Sequence, residues 1–153
     1  IKWTNDIYVG DRKIVGMLIE HFYSGMHLRR TLIGIGLNVN QRLFDPSLPN
    51  PTSMALERGK TFDREEVVER FTTAFEARYK QLETGQSDAL QQDYRQAMYR
   101  IHQTQLFRLP DGTAFEAEIE GVEAGGALQL RHADGLRQSY QFKEVEFVIK
   151  KAE

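Results

Sequence analysis

The chain has no cysteine among its 153 residues, so disulfides and thiolate metal sites are excluded. Long apolar runs are missing too, since no stretch approaches the roughly 18 residues of a membrane-spanning helix. Neither sign of charge dominates. A formal net charge of −2 leaves no basic footprint of the kind a nucleic-acid-binding domain carries. No signal-like start is evident, and the cytoplasm is the default compartment. The four histidines, His21, His27, His102 and His132, have no metal-ligand spacing and read as surface or strand residues.

What is present is ordinary for a globular chain: 41% hydrophobic and 27% charged residues. The length fits one domain, or a domain with a small appendix, and suffices to bury a core. The chain opens without Met inside an apparent strand, and reads as a piece of a longer protein cut within its active-site sheet. A cut sheet edge invites pairing between copies, so a homodimer through that edge is an expectation.

Three zones follow from periodicity. Residues 1–40 are strand-like: Ile7, Tyr8 and Val9 run into the turn Gly10-Asp11-Arg12, a mostly apolar strand spans 14–22, Ser24-Gly25 turns, and a third strand spans 31–40. Residues from Pro46 to about Ile101 are helical. Pro46, Pro49 and Pro51 hold an irregular loop, and Thr52 or Ser53 caps a short helix ending at Gly59. Asp63 with Glu66 reads as a capping box for a long helix. Its buried stripe is expected at Val67, Phe71, Ala74, Phe75, Tyr79 and Leu82. Gly85 stops it, and Ser87 caps a third helix to about Arg100. Period two then returns, with short strands expected at 106–109, 115–122, 127–130, 138–142 and 145–149. Such closely spaced strands suggest a small SH3-like barrel. The boundary falls near 103, giving units 1–103 and 104–153.

In the third strand Ile33, Ile35, Leu37 and Val39 share one face, and Gly34, Gly36, Asn38 and Asn40 the other. Alternate glycines mark a close approach by a ligand or by another backbone. A tightly packed helix would explain them, and so would a pocket floor; the carboxamide of Asn38 at the end of the same face favours the floor. Lys2, Thr4, Asp6 and Tyr8 would share one face of the first strand, with Lys13 entering the second. Lysine neutralises a phosphate or carboxylate as a point charge. Aspartate can hold Mg²⁺, which binds through one or two carboxylates plus substrate phosphates. Trp3 on its own reads as a packing aromatic.

The run KWTND, then DRKIVGMLIE, then IGIGLNVN, in this order and spacing over residues 2–40, resembles the central catalytic domain of the biotin protein ligase family. The resemblance implies an α+β fold: part of a class II synthetase-like mixed or antiparallel sheet with helices, followed by a small SH3-like β-barrel. It implies a two-step reaction with biotin, ATP and Mg²⁺, in which biotinyl-5′-AMP forms and a lysine of a biotin carboxyl carrier domain then takes the biotin. Lys13 matches the lysine that meets the biotin carboxylate and the reacting phosphate, and Asp6 the aspartate associated with Mg²⁺ and catalysis. Gly16, Met17, Gly34 and Gly36 match the segments lining the biotin pocket. Asn38 matches the asparagine against adenine, and Lys2, Trp3 and Asn5 the motif around the nucleotide.

Departures from the family pattern are informative. Thr4 replaces the usual proline. Glu120 stands where some members carry an arginine that reaches the nucleotide. The family's Gly/Arg-rich loop precedes the matched region and is not in this chain, so weak or absent turnover by this span alone is expected. A lipoate ligase, sharing fold and chemistry, is the alternative within the enzyme class. A non-catalytic protein-interaction module is the alternative outside it.

Overall fold

Gly10, at φ 56°, supplies the left-handed residue that folds β1 (Asp6–Val9) back on β2 (Arg12–Ser24). Gly25, at φ 60°, turns β2 into β3 (His27–Leu37). The three strands form one antiparallel sheet in the order β1-β2-β3. The computed structural model describes residues 1–149; residues 150–153, the end of the expected terminal unit, lie outside the described residues.

The first strand is shorter than its sequence pattern suggests. Lys2 and Asp6 bond through both backbone groups, Lys2 N to Asp6 O at 2.8 Å and Asp6 N to Lys2 O at 3.2 Å. Residues 3–5 therefore form a turn that doubles back, with a cis peptide between Trp3 and Thr4. Lys2 and Thr4 do not continue a regular strand face with Asp6 and Tyr8. The third strand also stops early, at Leu37. Beyond it the carbonyls of Asn38 and Val39 accept from Met54 N and Ala55 N at 3.0 and 2.9 Å, so the chain becomes a platform for the next helix.

That helix, α1 (Met54–Arg58), is capped by Ser53, whose side chain accepts from Leu56 N, and it ends at Gly59 in the left-handed region, φ 68°. Asp63 caps α2 (Arg64–Glu83), accepting from the N–H groups of Glu65 and Glu66. The Glu66 carboxylate binds Arg70 at 3.0 Å. In α3 (Ser87–Gln96) the N-cap is Gln86, and Ser87, expected as the cap, is instead the first helical residue. This helix ends short of Arg100 because residues 97–101 turn to meet the final sheet.

Two apolar faces, one of them the expected buried stripe of α2, are open to water. Phe71, Phe75, Tyr79 and Leu82 of α2 are 44–54% exposed, and Ile33 and Ile35 of β3 are 38% and 41% exposed. Among the described residues α2 packs chiefly on α3, and β3 on β2, so no second layer covers either face. Periodicity marks a face able to be buried; coverage needs a neighbour.

The main core lies in the final sheet. β4 (Thr104–Arg108), β5 (Ala114–Val122), β6 (Leu128–His132), β7 (Arg137–Tyr140) and β8 (Glu146–Phe147) form an antiparallel sheet in the order β7-β6-β5-β4-β8. The fold is thus α+β, with two antiparallel sheets and three helices among the described residues. Phe107, Ile119, Leu128 and Leu130 are fully buried, and the same cluster contains Trp3 from the opening turn and Met98 from the connection after α3. Trp3 Nε1 donates to Gly126 O at 2.8 Å. The opening segment is thereby riveted to the final sheet.

Candidate functional site

Strand register builds the floor of a trough. Asp6 on β1 pairs with Gly16 on β2, and Gly16 pairs with Gly36 on β3. Directly paired residues point to the same face, so one carboxylate stands at the end of a row that is otherwise bare backbone. A side chain at Gly16 would crowd the end of Lys13: an added Cβ would lie 3.2 Å from both Cε and Nζ of Lys13, and at an ordinary 3.7 Å from Asp6 Oδ1. The glycine is what allows the Lys13 ammonium to cross the strand and pair with Asp6 at 2.7 Å. With side chains 43% and 23% exposed, this pair adds only about 0–1 kcal/mol to stability. Its importance is positional.

A cavity of about 390 Å³ opens over this row, lined by Asp6, Tyr8, Lys13, Gly16, Gly36 and Asn38 and, opposite them, by Gln41, Phe44, Leu48, Pro49, Asn50 and Pro51. The loop wall is tied to the sheet at Lys13. Lys13 N donates to Asn50 O at 2.7 Å, Thr52 N donates to Lys13 O at 2.8 Å, and Lys13 and Pro51 form a parallel bridge. Asn38 Nδ2 donates to Thr52 O at 3.0 Å. Asn40 is spent on structure, donating to Phe62 O at 2.7 Å and accepting from Phe62 N at 2.9 Å. Sequence reading finds the prolines of this loop but not that they form a wall.

The remaining expected residues divide. Gly34 lies opposite Leu18, outside the lining of this cavity. Met17 is likewise outside it; its N–H donates to Asn5 O at 3.0 Å, and its carbonyl accepts from the Asn5 carboxamide. Lys2, Trp3 and Asn5 border a second cavity, about 570 Å³, between residues 2–6 and the final sheet. Asp6 lines both cavities.

The Lys2 ammonium sits 4.6 Å from the Phe147 ring centroid and 5.6 Å from that of Tyr8. Burial lowers its pKa, Lys13 adds to the lowering, and Asp6 and Glu146 oppose it. Glu120 lines neither cavity; it pairs with Arg131 at 3.1 Å and Arg137 at 2.9 Å. The final sheet nonetheless brings cations to the second cavity, from Arg108 and Lys143. These were not singled out from the sequence, because only β-sheet register places them beside residue 2.

Among the described residues no group of three His, Asp or Glu side chains could hold a metal. Asp6 is a single carboxylate, already facing a lysine. That donor set fits Mg²⁺ arriving with substrate phosphates, which supply most of its oxygens, and does not fit a resident ion.

The chain is similar to known proteins in sequence and fold. The model of the biotin/lipoate A/B protein ligase family matches residues 1–38. The chain is 31% identical over 143 residues to the bifunctional ligase/repressor BirA of Bacillus spizizenii, covering 92% of this chain and 44% of that protein. It is 31% identical over 152 residues to a biotin–[acetyl-CoA-carboxylase] ligase of Paracoccus denitrificans, covering 96% of this chain and 62% of that one. The chain thus spans less than two thirds of either relative. The biotin protein ligase of Aquifex aeolicus, solved in complex with biotin and ATP, superposes with a TM-score of 0.75 at 21% identity, over 98% of this chain and 62% of that one. This last likeness concerns the fold.

Proposed function

We propose that this chain, similar over most of its length to biotin protein ligases, carries the central part of a site that joins biotin to AMP and passes it to a carrier lysine. One observation carries this reading: the Asp6–Gly16–Gly36 row, with the Lys13 ammonium held over it, opens into an apolar-walled trough. Biotin lies over the glycines Gly16 and Gly36. Asn38 faces the adenine. The second cavity, with Lys2, Arg108 and Lys143, takes the outer phosphates of ATP, and Asp6 stands where the two meet.

The chemistry follows from charge. An oxygen of the biotin carboxylate attacks the α-phosphorus, the bond to the β-phosphate oxygen breaks, and pyrophosphate leaves. Two anions must approach, so the principal task is electrostatic, and Lys13, held in place by Asp6, offsets the charge gathering at phosphorus. Mg²⁺ bound with ATP beside Asp6 would supply further charge neutralisation. In the second step the neutral amine of a biotin carboxyl carrier lysine attacks the acyl carbon, AMP departs, and the amine proton is lost, Asp6 being the closest base. We assign residues 1–103 to the catalytic unit and 104–153 to an accessory unit that closes the second cavity.

The test is biotin-dependent exchange of pyrophosphate into ATP by the full-length protein, alongside Lys13→Ala. Exchange that requires biotin and collapses in the folded variant supports the reading. Exchange supported by lipoate instead of biotin would move the protein to the lipoate branch, and exchange unaffected by Lys13→Ala would remove Lys13 from the mechanism. Absence of exchange, with no heat on titrating biotinyl-5′-AMP, would favour an interaction module.

A further inference from the structure

A contact outside both cavities joins the β1–β2 turn to the connection between α3 and β4. Asp11 stands in that turn. Its Oδ1 accepts from the Tyr99 hydroxyl at 2.6 Å and from Arg100 Nη2 at 2.7 Å, and its Oδ2 accepts from the same nitrogen at 2.8 Å. Arg100 Nη1 donates onward to Gln105 Oε1 at 2.7 Å. The pair is accessible, with side chains 34% and 48% exposed, so it adds little to stability. The backbone is nonetheless held in an unfavourable shape there: Arg100 and His102 have φ values of 55° and 60°, a region that residues other than glycine seldom enter. Such a local arrangement invites the question of what it places.

It places Tyr99. The Tyr99 ring lies 5.2 Å from Tyr8 and 6.2 Å from Phe147, centroid to centroid. Those two rings are the ones beneath the Lys2 ammonium. Tyr99 N also donates to Ile1 O at 2.8 Å, immediately before Lys2. Both the backbone and the side-chain seat of Lys2 therefore lead back to the residue that Asp11 grips.

We propose that Asp11, Tyr99 and Arg100 form a clamp that positions Lys2 at the rim of the second cavity for the phosphates of a nucleoside triphosphate. None of the three touches that ligand; they are positioning residues acting through Tyr8 and Phe147. The nucleotide identity rests on the proposed function, whereas the clamp itself does not.

The experiment uses Asp11→Ala, Arg100→Gly and their combination in the full-length protein. Glycine suits the positive φ at residue 100, so that variant removes the guanidinium without backbone conflict. The clamp predicts a rise of about tenfold in KM for ATP, comparable to losing one charged contact. KM for biotin should stay unchanged, and the double variant should be no worse than either single one. Amide exchange at residues 1–6 should quicken in all three variants. Unchanged KM for ATP, or equal losses for ATP and biotin that track a lowered Tm, would overturn the proposal. If the parent makes no biotinyl adenylate, the proposed function falls while amide exchange still decides: faster exchange at residues 1–6 keeps the clamp, and unaltered exchange removes it.

Discussion

Replacing Gly16 by alanine separates stability from chemistry, because the two should move in opposite directions. Gly16 has ordinary extended backbone and no positive φ, so alanine is conformationally acceptable. Restricting the unfolded chain should then stabilise the protein by about 0.4–1 kcal/mol. The new Cβ meets Lys13 Cε and Nζ at 3.2 Å. Those atoms are the far end of a flexible, half-exposed side chain, which can shift by a few tenths of an ångström at little energetic expense. The shift is nonetheless applied to the ammonium that pairs with Asp6. Misplacing a reacting group by about 1 Å can lower a rate roughly 10²-fold, and removing a preorganised contact outright costs roughly 10²–10³. Gly16→Ala is therefore expected to slow adenylate formation by about tenfold, equivalent to about 1.4 kcal/mol in the barrier, with Tm unchanged or raised. Pyrophosphate exchange under saturating biotin and ATP, together with a thermal melt, measures both. Parental exchange in the folded variant would refute the argument that the Lys13–Asp6 geometry sets the rate, and a melt lowered by many degrees would refute the steric analysis.

Further expectations follow from the same geometry. Gly36→Ala meets only Gly16 O, at an ordinary 3.7 Å, so it should fold normally but fill the trough; a higher KM for biotin with kcat little changed is expected, and an unaltered KM would exclude Gly36 from the floor. Trp3→Ala removes a side chain only 7% exposed and should destabilise by about 3–5 kcal/mol; urea unfolding showing less than about 1 kcal/mol would mean that the indole is no rivet. Ser53→Ala should lose about 0.5–2 kcal/mol with the α1 cap, read from the same unfolding curves. Burial and the bond to Asp11 raise the Tyr99 hydroxyl from 10.0 to about 12. A raised folded value means that its stabilising contribution is intact below pH 10 and is lost as pH climbs toward 12. Tyr99→Phe should flatten that alkaline limb, and an unchanged limb would assign it to other tyrosines.

Much of the local structure was written in short-range chemistry. Gly10, Gly25 and Gly59 stand where left-handed turns occur, and Ser53 and Asp63 cap the helices their positions announced, because caps and turns depend on a few neighbouring residues. The alternation that put Gly36 and Asn38 on one face likewise needed only a period of two. The sequence also brought Lys13 and Asp6 to attention as an anion-handling pair. Tertiary structure decided the rest. Whether the apolar stripe of α2 is buried depends on a covering layer, and among the described residues none covers it. That Trp3 belongs to the core of a sheet more than a hundred residues away, that a proline loop walls the trough, and that Arg108 and Lys143 line one cavity with Lys2 are outcomes of strand register and long-range packing. Sequence periodicity assigns a side chain to a face; only the closed chain assigns that face a partner.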